Sequence, residues 1–384
     1  MDAPARLHYM DNLRALAMMA GLLFHAALAY SPLIHPYFPT ADRAQSAALD
    51  LGIWFLHLFR MPLFFLVAGF FAAMLVSKRG LGGMFRNRLK RIALPLILFL
   101  PLVNWALGYS TLDAAASVAH PSPVLKLVAE FSRMDTPPVL PPSTGHLWFL
   151  YYLLFFYLLI WSARSFELGW LGERLRALSP LRQLLYFPLL LLPALASVSA
   201  PHPAPESLLP HFWAFAFFGP FFAFGYLLFG HETLVAQYRA YLPRLFVGSV
   251  IMFAAFIYLL DGRAMNGEDF FASLLPAVFE AYVSVWMTVV CLTGGQAVLN
   301  RSHAWLRYLA DASYWTYIAH LPVLFFIQYR LMDLDWPWGL KFSISVTATF
   351  ALCLLSYSLL VRPTPLARLL STRRALRPGP WFSS

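Results

Sequence analysis

The chain has 384 residues, 60% of them hydrophobic and 12% charged, with a formal net charge of +10. That is more apolar side chain than a soluble domain of this length can hide, so the sequence reads as an all-α polytopic membrane protein. Membrane topology explains the positive balance, which needs no nucleic-acid partner.

Stretches long enough to cross a hydrocarbon core of about 30 Å predict about ten transmembrane helices. They fall at roughly 13–31, 50–76, 89–108, 146–162, 183–200, 211–230, 244–260, 274–293, 305–331 and 339–361. Pro188, Pro193 and Pro220 interrupt the fifth and sixth, which predicts kinked or broken helices there. No internal repeat or appended soluble domain is visible. Residues 1–361 therefore read as a single ten-helix transmembrane domain and 362–384 as a basic cytoplasmic tail.

Basic residues set the orientation. With the N-terminus inside, the inside segments hold 20 Lys and Arg and the outside segments 6, while Arg14 and Arg60 lie within spans. The asymmetry predicts an even number of spans with both termini cytoplasmic. Ala27-Leu28-Ala29 resembles a signal-peptide cleavage site, but Arg14 and His25 would interrupt the apolar core of such a leader. Cys291 and Cys353 fall in apolar spans and imply neither a disulfide frame nor a metal cluster.

The first span carries Arg14 and His25. At about 100° and 1.5 Å per residue they share one helix face about 16 Å apart, which suggests a polar path through the protein. Snorkelling of the arginine and interhelical packing of the histidine are the structural alternatives. In the second span His57 and Arg60 repeat the pattern one turn apart, as a supporting pair or a buried packing pair. On the inside, Arg86, Arg88, Lys90 and Arg91 follow Gly80, Gly82 and Gly83. A basic inside loop touching anionic lipid explains them, and so does a polyanion such as a nucleotide phosphate. Arg88 and Arg91, three apart, would share a face if the third helix begins there.

The longest outside connection, 109–145, is proline-containing and predicts an irregular, partly stiffened loop over the outer mouth. His146 opens the fourth span at the outer interface. Glu280, in Phe279-Glu280-Ala281-Tyr282, is the most isolated carboxylate in an apolar setting; it reads as a partner for one of these cations or an orienter of a histidine, and equally as a purely structural ion pair. His320 precedes Pro322, which opens the helix backbone beside it. Four histidines and two arginines in spans exceed what packing ordinarily needs. No His-Glu-x-x-His, Gly-x-Ser-x-Gly or Gly-x-x-x-x-Gly-Lys pattern occurs, so zinc hydrolysis, serine hydrolysis and ATP-driven pumping lack support.

An ordered set of these motifs resembles the acyltransferase-3 integral membrane family, in its glucan-modifying branch. It comprises Asn12-Leu13-Arg14-Ala15 with the ten-residue spacing to His25, Phe59 through Phe70, Phe85-x-x-Arg88-x-x-Arg91-Ile92 with Pro95, His146-Leu147-Trp148-Phe149-Leu150, and Ala312 through Pro322. The chain departs from the family at Ala68, where serine usually precedes Gly-Phe.

The resemblance implies a ten-helix enzyme of the bacterial inner membrane. It would move an acyl group, such as succinyl or acetyl, from cytoplasmic acyl-CoA to a carbohydrate hydroxyl at the outer face. Arg14 and His25 would be the essential pair and Arg88 and Arg91 the donor foot, with acyl-CoA as co-substrate and no bound cofactor or metal. His25 then reads as general base, with His57, Arg60 or a backbone amide as oxyanion donor. A transporter or flippase for a glycan or anionic substrate is the rival reading, since the same residues could line a path in which no bond changes.

Overall fold

The computed structural model describes residues 8–139, 141–163, 173–174, 177–231, 233–260, 270–300 and 304–370. Among them the secondary structure is helical, with no strand and one isolated antiparallel bridge between Ser143 and Ser207. Helix suits a hydrocarbon environment, because each backbone amide finds its partner within its own segment.

The main helices are α1 (His8–Leu28), α2 (Ala47–Arg88), α3 (Leu94–Ser117), α4 (Pro123–Phe131), α5 (Trp148–Ala163), α6 (Pro180–Tyr186), α7 (Phe212–Leu228), α8 (Leu242–Leu260), α9 (Phe270–Val298), α10 (Ala304–Leu331) and α11 (Trp338–Ser356). Helix therefore occurs at each of the ten predicted stretches. Five helical stretches are long and apolar enough to cross a membrane: Ala47–Ser117, Gly145–Ser162, Thr233–Leu260, Ser273–Val298 and Trp338–Val361. The first of these takes in two predicted spans.

Three local differences from the sequence expectation have physical causes. The second span does not end near 76. Its helix continues to Arg88, interrupted at Gly80, whose φ of 67° suits a residue without a Cβ, and a π turn over Leu89–Ala93 leads into α3. Arg88 thus ends a helix and Arg91 lies in the π turn, rather than both opening a third helix. The fifth span is broken, as its prolines predict. α6 gives way to a 3-10 turn Pro188–Leu191, a single helical turn Leu192–Leu195, and irregular chain to residue 211. Pro220, by contrast, is accommodated inside the unbroken α7.

The outer connection is also more ordered than its prolines suggest. α3 runs on to Ser117, and α4 starts at Pro123 with the Ser122 hydroxyl accepting the Leu125 amide. Proline at the first helical position costs no hydrogen bond.

The chain divides into two compact units, one of Met1–Ala17, Trp54–Ile92 and Pro142–Ser302, the other of Met18–Ile53, Ala93–Pro141 and His303–Ser384. In the first, α8 packs along α9. α2 crosses α7 backbone to backbone at Gly69 and Gly225, where a Cβ on either glycine would overlap a carbonyl of the other helix. Gly69 is therefore a contact point inside a helix. An apolar cavity of about 380 Å³ lies among α6, α7 and α9, lined by residues such as Phe187, Phe221, Phe224 and Val289. It holds none of the predicted site residues.

In the second unit α10 packs against α3 and α11, around a core that includes Ala26, Leu125, Leu321, Leu324 and Phe325. The segment after α1 is tied down by buried polar bonds. Gln328 Nε2 donates to the Ala26 carbonyl at 2.9 Å, Thr40 Oγ1 donates to Gln328 Oε1 at 2.7 Å, and Lys341 Nζ bonds Asp42 Oδ2 at 2.7 Å. Lys341 and Asp42 are only 1% and 3% exposed, so each satisfies a charge the other would leave unpaired.

Candidate active site

One helix carries both residues of the leading sequence pair, Arg14 toward its start and His25 in its last turn. α1 also belongs to both units, Arg14 to the first and His25 to the second.

Around Arg14 the first unit gathers an arginine cluster. Arg14, Arg79 and Arg88 all act electrostatically on Arg91. Arg14 lies 3.4 Å from Asp11, one turn back, with its guanidinium 5.3 Å from the Phe71 ring centre. The Arg88 guanidinium stands 4.8 Å from the centre of the Tyr157 ring, and its Nε is buried with no hydrogen-bond partner among the described residues. Stacking on an aromatic face holds a guanidinium in place while leaving its terminal N–H fork for an anion. Guanidiniums within electrostatic reach of one another repel, a cost that a bound polyanion reduces. The sequence placed Arg88 and Arg91 here. Arg79 is one of the inside basic residues, and its place beside Arg91 depends on the kink at Gly80, which a charge pattern does not show.

His25 and His320 meet in the second unit, their ring centres 5.3 Å apart. His320 is 3% exposed, whereas His25 is partly exposed. The His320 Nδ1–H donates to the backbone carbonyls of Tyr317, at 2.8 Å, and Thr316, at 3.1 Å. Carbonyls this close accept only a protonated nitrogen, so the neutral ring keeps its lone pair on Nε2. Sequence reasoning singled out both histidines, but their pairing needed the fold.

A third polar group lies in the first unit. Glu280, 1% exposed on α9, accepts from the backbone N–H of His202 at 3.0 Å and from His202 Nδ1 at 2.6 Å. His57 Nε2 donates to the His202 carbonyl at 2.8 Å, and the two imidazoles stack with ring centres 4.5 Å apart. Arg60 lies near enough to act electrostatically on His57. Glu280 thus orients a histidine, as its isolation suggested.

That histidine, His202, was missed. It sits in Ala200-Pro201-His202-Pro203, which reads as an outer loop, yet the irregular segment is folded into the unit and its backbone is satisfied by Glu280 and His57. Irregular chain persists at such depth only where protein satisfies its polar groups. The Nε2–H of His57 is committed to a carbonyl, which removes that group from the oxyanion donors considered. His146 is buried, 4% exposed, in the 3-10 turn Gly145–Leu147 that leads into α5.

Comparison with known proteins supplies the family. The acyltransferase-3 family model, described as an acyltransferase domain, matches residues 7–358. The chain is similar to glucans biosynthesis protein C of Salmonella paratyphi B, 27% identical over 338 residues that cover 84% of each chain. It is equally similar to the protein of that name in Salmonella typhi, 27% identical over 340 residues with 84% of each chain covered. No solved structure matches it significantly. With the family match running from the start of α1 to the end of α11 and across every group of polar residues described, the chain belongs to the acyltransferase-3 family of membrane proteins.

Proposed function

We propose that the protein transfers an acyl group from acyl-CoA, supplied at the cytoplasmic face of a bacterial inner membrane, to a hydroxyl of a periplasmic or cell-envelope glycan. The observation that carries this reading is the distribution of polar groups along α1, with an arginine cluster around Arg14 and a paired, partly exposed imidazole at His25. The glycan acceptor is favoured by the printed name of the curated relatives, which concerns glucan biosynthesis.

In this reading the acyl-CoA phosphates dock on Arg88 and Arg91 with Arg14 and Arg79 beside them, guanidinium forks being suited to phosphate. The thioester reaches along α1, where His25 lies about 16 Å from Arg14. A neutral His25 removes the proton from the acceptor hydroxyl as its oxygen attacks the thioester carbonyl. Collapse of the tetrahedral intermediate breaks the C–S bond, and the CoA thiolate takes the proton from His25. Both termini lie on the donor side, in keeping with the excess of Lys and Arg there.

Two measurements test the proposal. Purified protein in lipid nanodiscs should release CoA thiol and form an acyl ester when given acyl-CoA and glycan. Mass spectrometry of envelope glycans should lose that ester when the chain is deleted. Counterflow of an unmodified substrate with no ester formed would replace the enzyme reading with a carrier.

A further inference from the structure

We propose that His320 is the positioning residue for the general base, accepting a hydrogen bond from the ring N–H of His25 and thereby fixing which His25 nitrogen faces the acceptor hydroxyl. The inference rests on the assignment of His25 as base.

It follows from three features of the second unit. The Nδ1–H of His320 is held by the carbonyls of Thr316 and Tyr317 on its own helix. That edge of the ring therefore faces the α10 backbone, and the opposite edge, with the Nε2 lone pair, faces away from it. The His25 ring lies 5.3 Å away, centre to centre, with its plane tilted 46° to that of His320, a separation from which a turn of the His25 ring can bring its N–H within hydrogen-bond distance of a His320 nitrogen. His320 is buried while His25 is partly exposed, so His25 is the ring a substrate can reach and His320 the one behind it.

The arrangement does the work of the carboxylate in a hydrolase triad without placing a permanent charge there. When His25 takes the hydroxyl proton, its N–H bond to His320 becomes charge-assisted and stronger, which stabilises the imidazolium while it exists. The proton then passes from His25 to the departing thiolate. His320 neither gains nor loses a proton over the cycle.

Two substitutions separate this role from a structural one. His320→Asn keeps an N–H near the Nδ1 position, able to bond the Tyr317 carbonyl, and loses the Nε2 acceptor. His320→Gln carries its side-chain carbonyl out toward the Nε2 position and loses the anchor. Both are compared with wild type at equal concentrations of acyl-CoA-binding protein, which removes misfolded material from the comparison. The expected result is a kcat lower by about 10–100-fold for Asn with donor KM unchanged, and partial recovery of kcat for Gln. A wild-type kcat for Asn, or a Gln variant no better than Asn, would overturn the proposal. His25→Ala is measured alongside, and activity retained there would overturn the base assignment itself, so the two failures remain distinct.

Discussion

Glu280 offers a graded test of the buried group in the first unit. Its carboxylate accepts two hydrogen bonds from one residue, at 2.6 and 3.0 Å, and its side chain and that of His202 are each 1% exposed. Glu280→Gln preserves shape and an acceptor oxygen but turns bonds to a charged group into neutral ones, a loss of about 1 kcal/mol each and about 2 kcal/mol together. Glu280→Ala leaves the His202 N–H and Nδ1–H without a partner and opens a cavity, which should cost about 3–5 kcal/mol. At about 2–4 °C per kcal/mol the thermal midpoint in detergent should fall by about 4–8 °C for Gln and by about 6–20 °C for Ala. Tryptophan fluorescence is a suitable probe, since the Trp213 ring centre lies 6.3 Å from that of His202. A wild-type midpoint for Ala, or equal losses for Gln and Ala, would refute the account of Glu280 as the anchor of the 196–211 segment.

The crossing of α2 and α7 predicts that Gly225→Ala and Gly69→Ala each destabilise by about 3 kcal/mol, because the added methyl meets backbone that cannot turn aside; thermal midpoints near wild type would show that the helices can separate freely. Arg88→Ala combined with Arg91→Ala should raise the KM for acyl-CoA by about tenfold or more with little change in the acceptor KM, and the difference should narrow as salt screens the wild-type site. Unchanged donor affinity would reduce the cluster to a topological signal. Single cysteines in 109–145 should react with an impermeant thiol reagent in intact spheroplasts, and cysteines in 80–86 only after permeabilisation. The opposite pattern would invert the topology and remove the route from an inner donor to an outer hydroxyl.

Much of the architecture was legible because membrane burial leaves a coarse signal. An apolar run long enough to cross must be helical, so spans such as 244–260 and 274–293 coincide closely with α8 and α9. Breaks are harder to read. Pro188 and Pro193 each open a new short helical piece, a 3-10 turn and a single α turn, whereas Pro220 and Pro322 lie inside unbroken helices, a difference that hydropathy does not register.

Among the proposed site residues, Arg14 and His25 stand out through helical spacing, and Arg88 and Arg91 through charge density. Their grouping with Arg79 depends on the conformation at Gly80. The association of Glu280 with His202 and of His25 with His320 joins residues 78 and 295 positions apart, and one sequence carries no record of such pairings. His202 was hidden by its prolines, which mark a surface loop in a soluble protein but here shape a buried irregular segment.

The central claim is that His25 removes the proton from the acceptor hydroxyl. The most direct measurement is single-turnover acyl transfer by purified His25→Ala protein in nanodiscs, with acyl-CoA binding measured on the same sample. The account predicts donor binding close to wild type and ester formation reduced by at least about 100-fold, the range expected for loss of a general base. Ester formation at the wild-type rate with donor binding intact would contradict it.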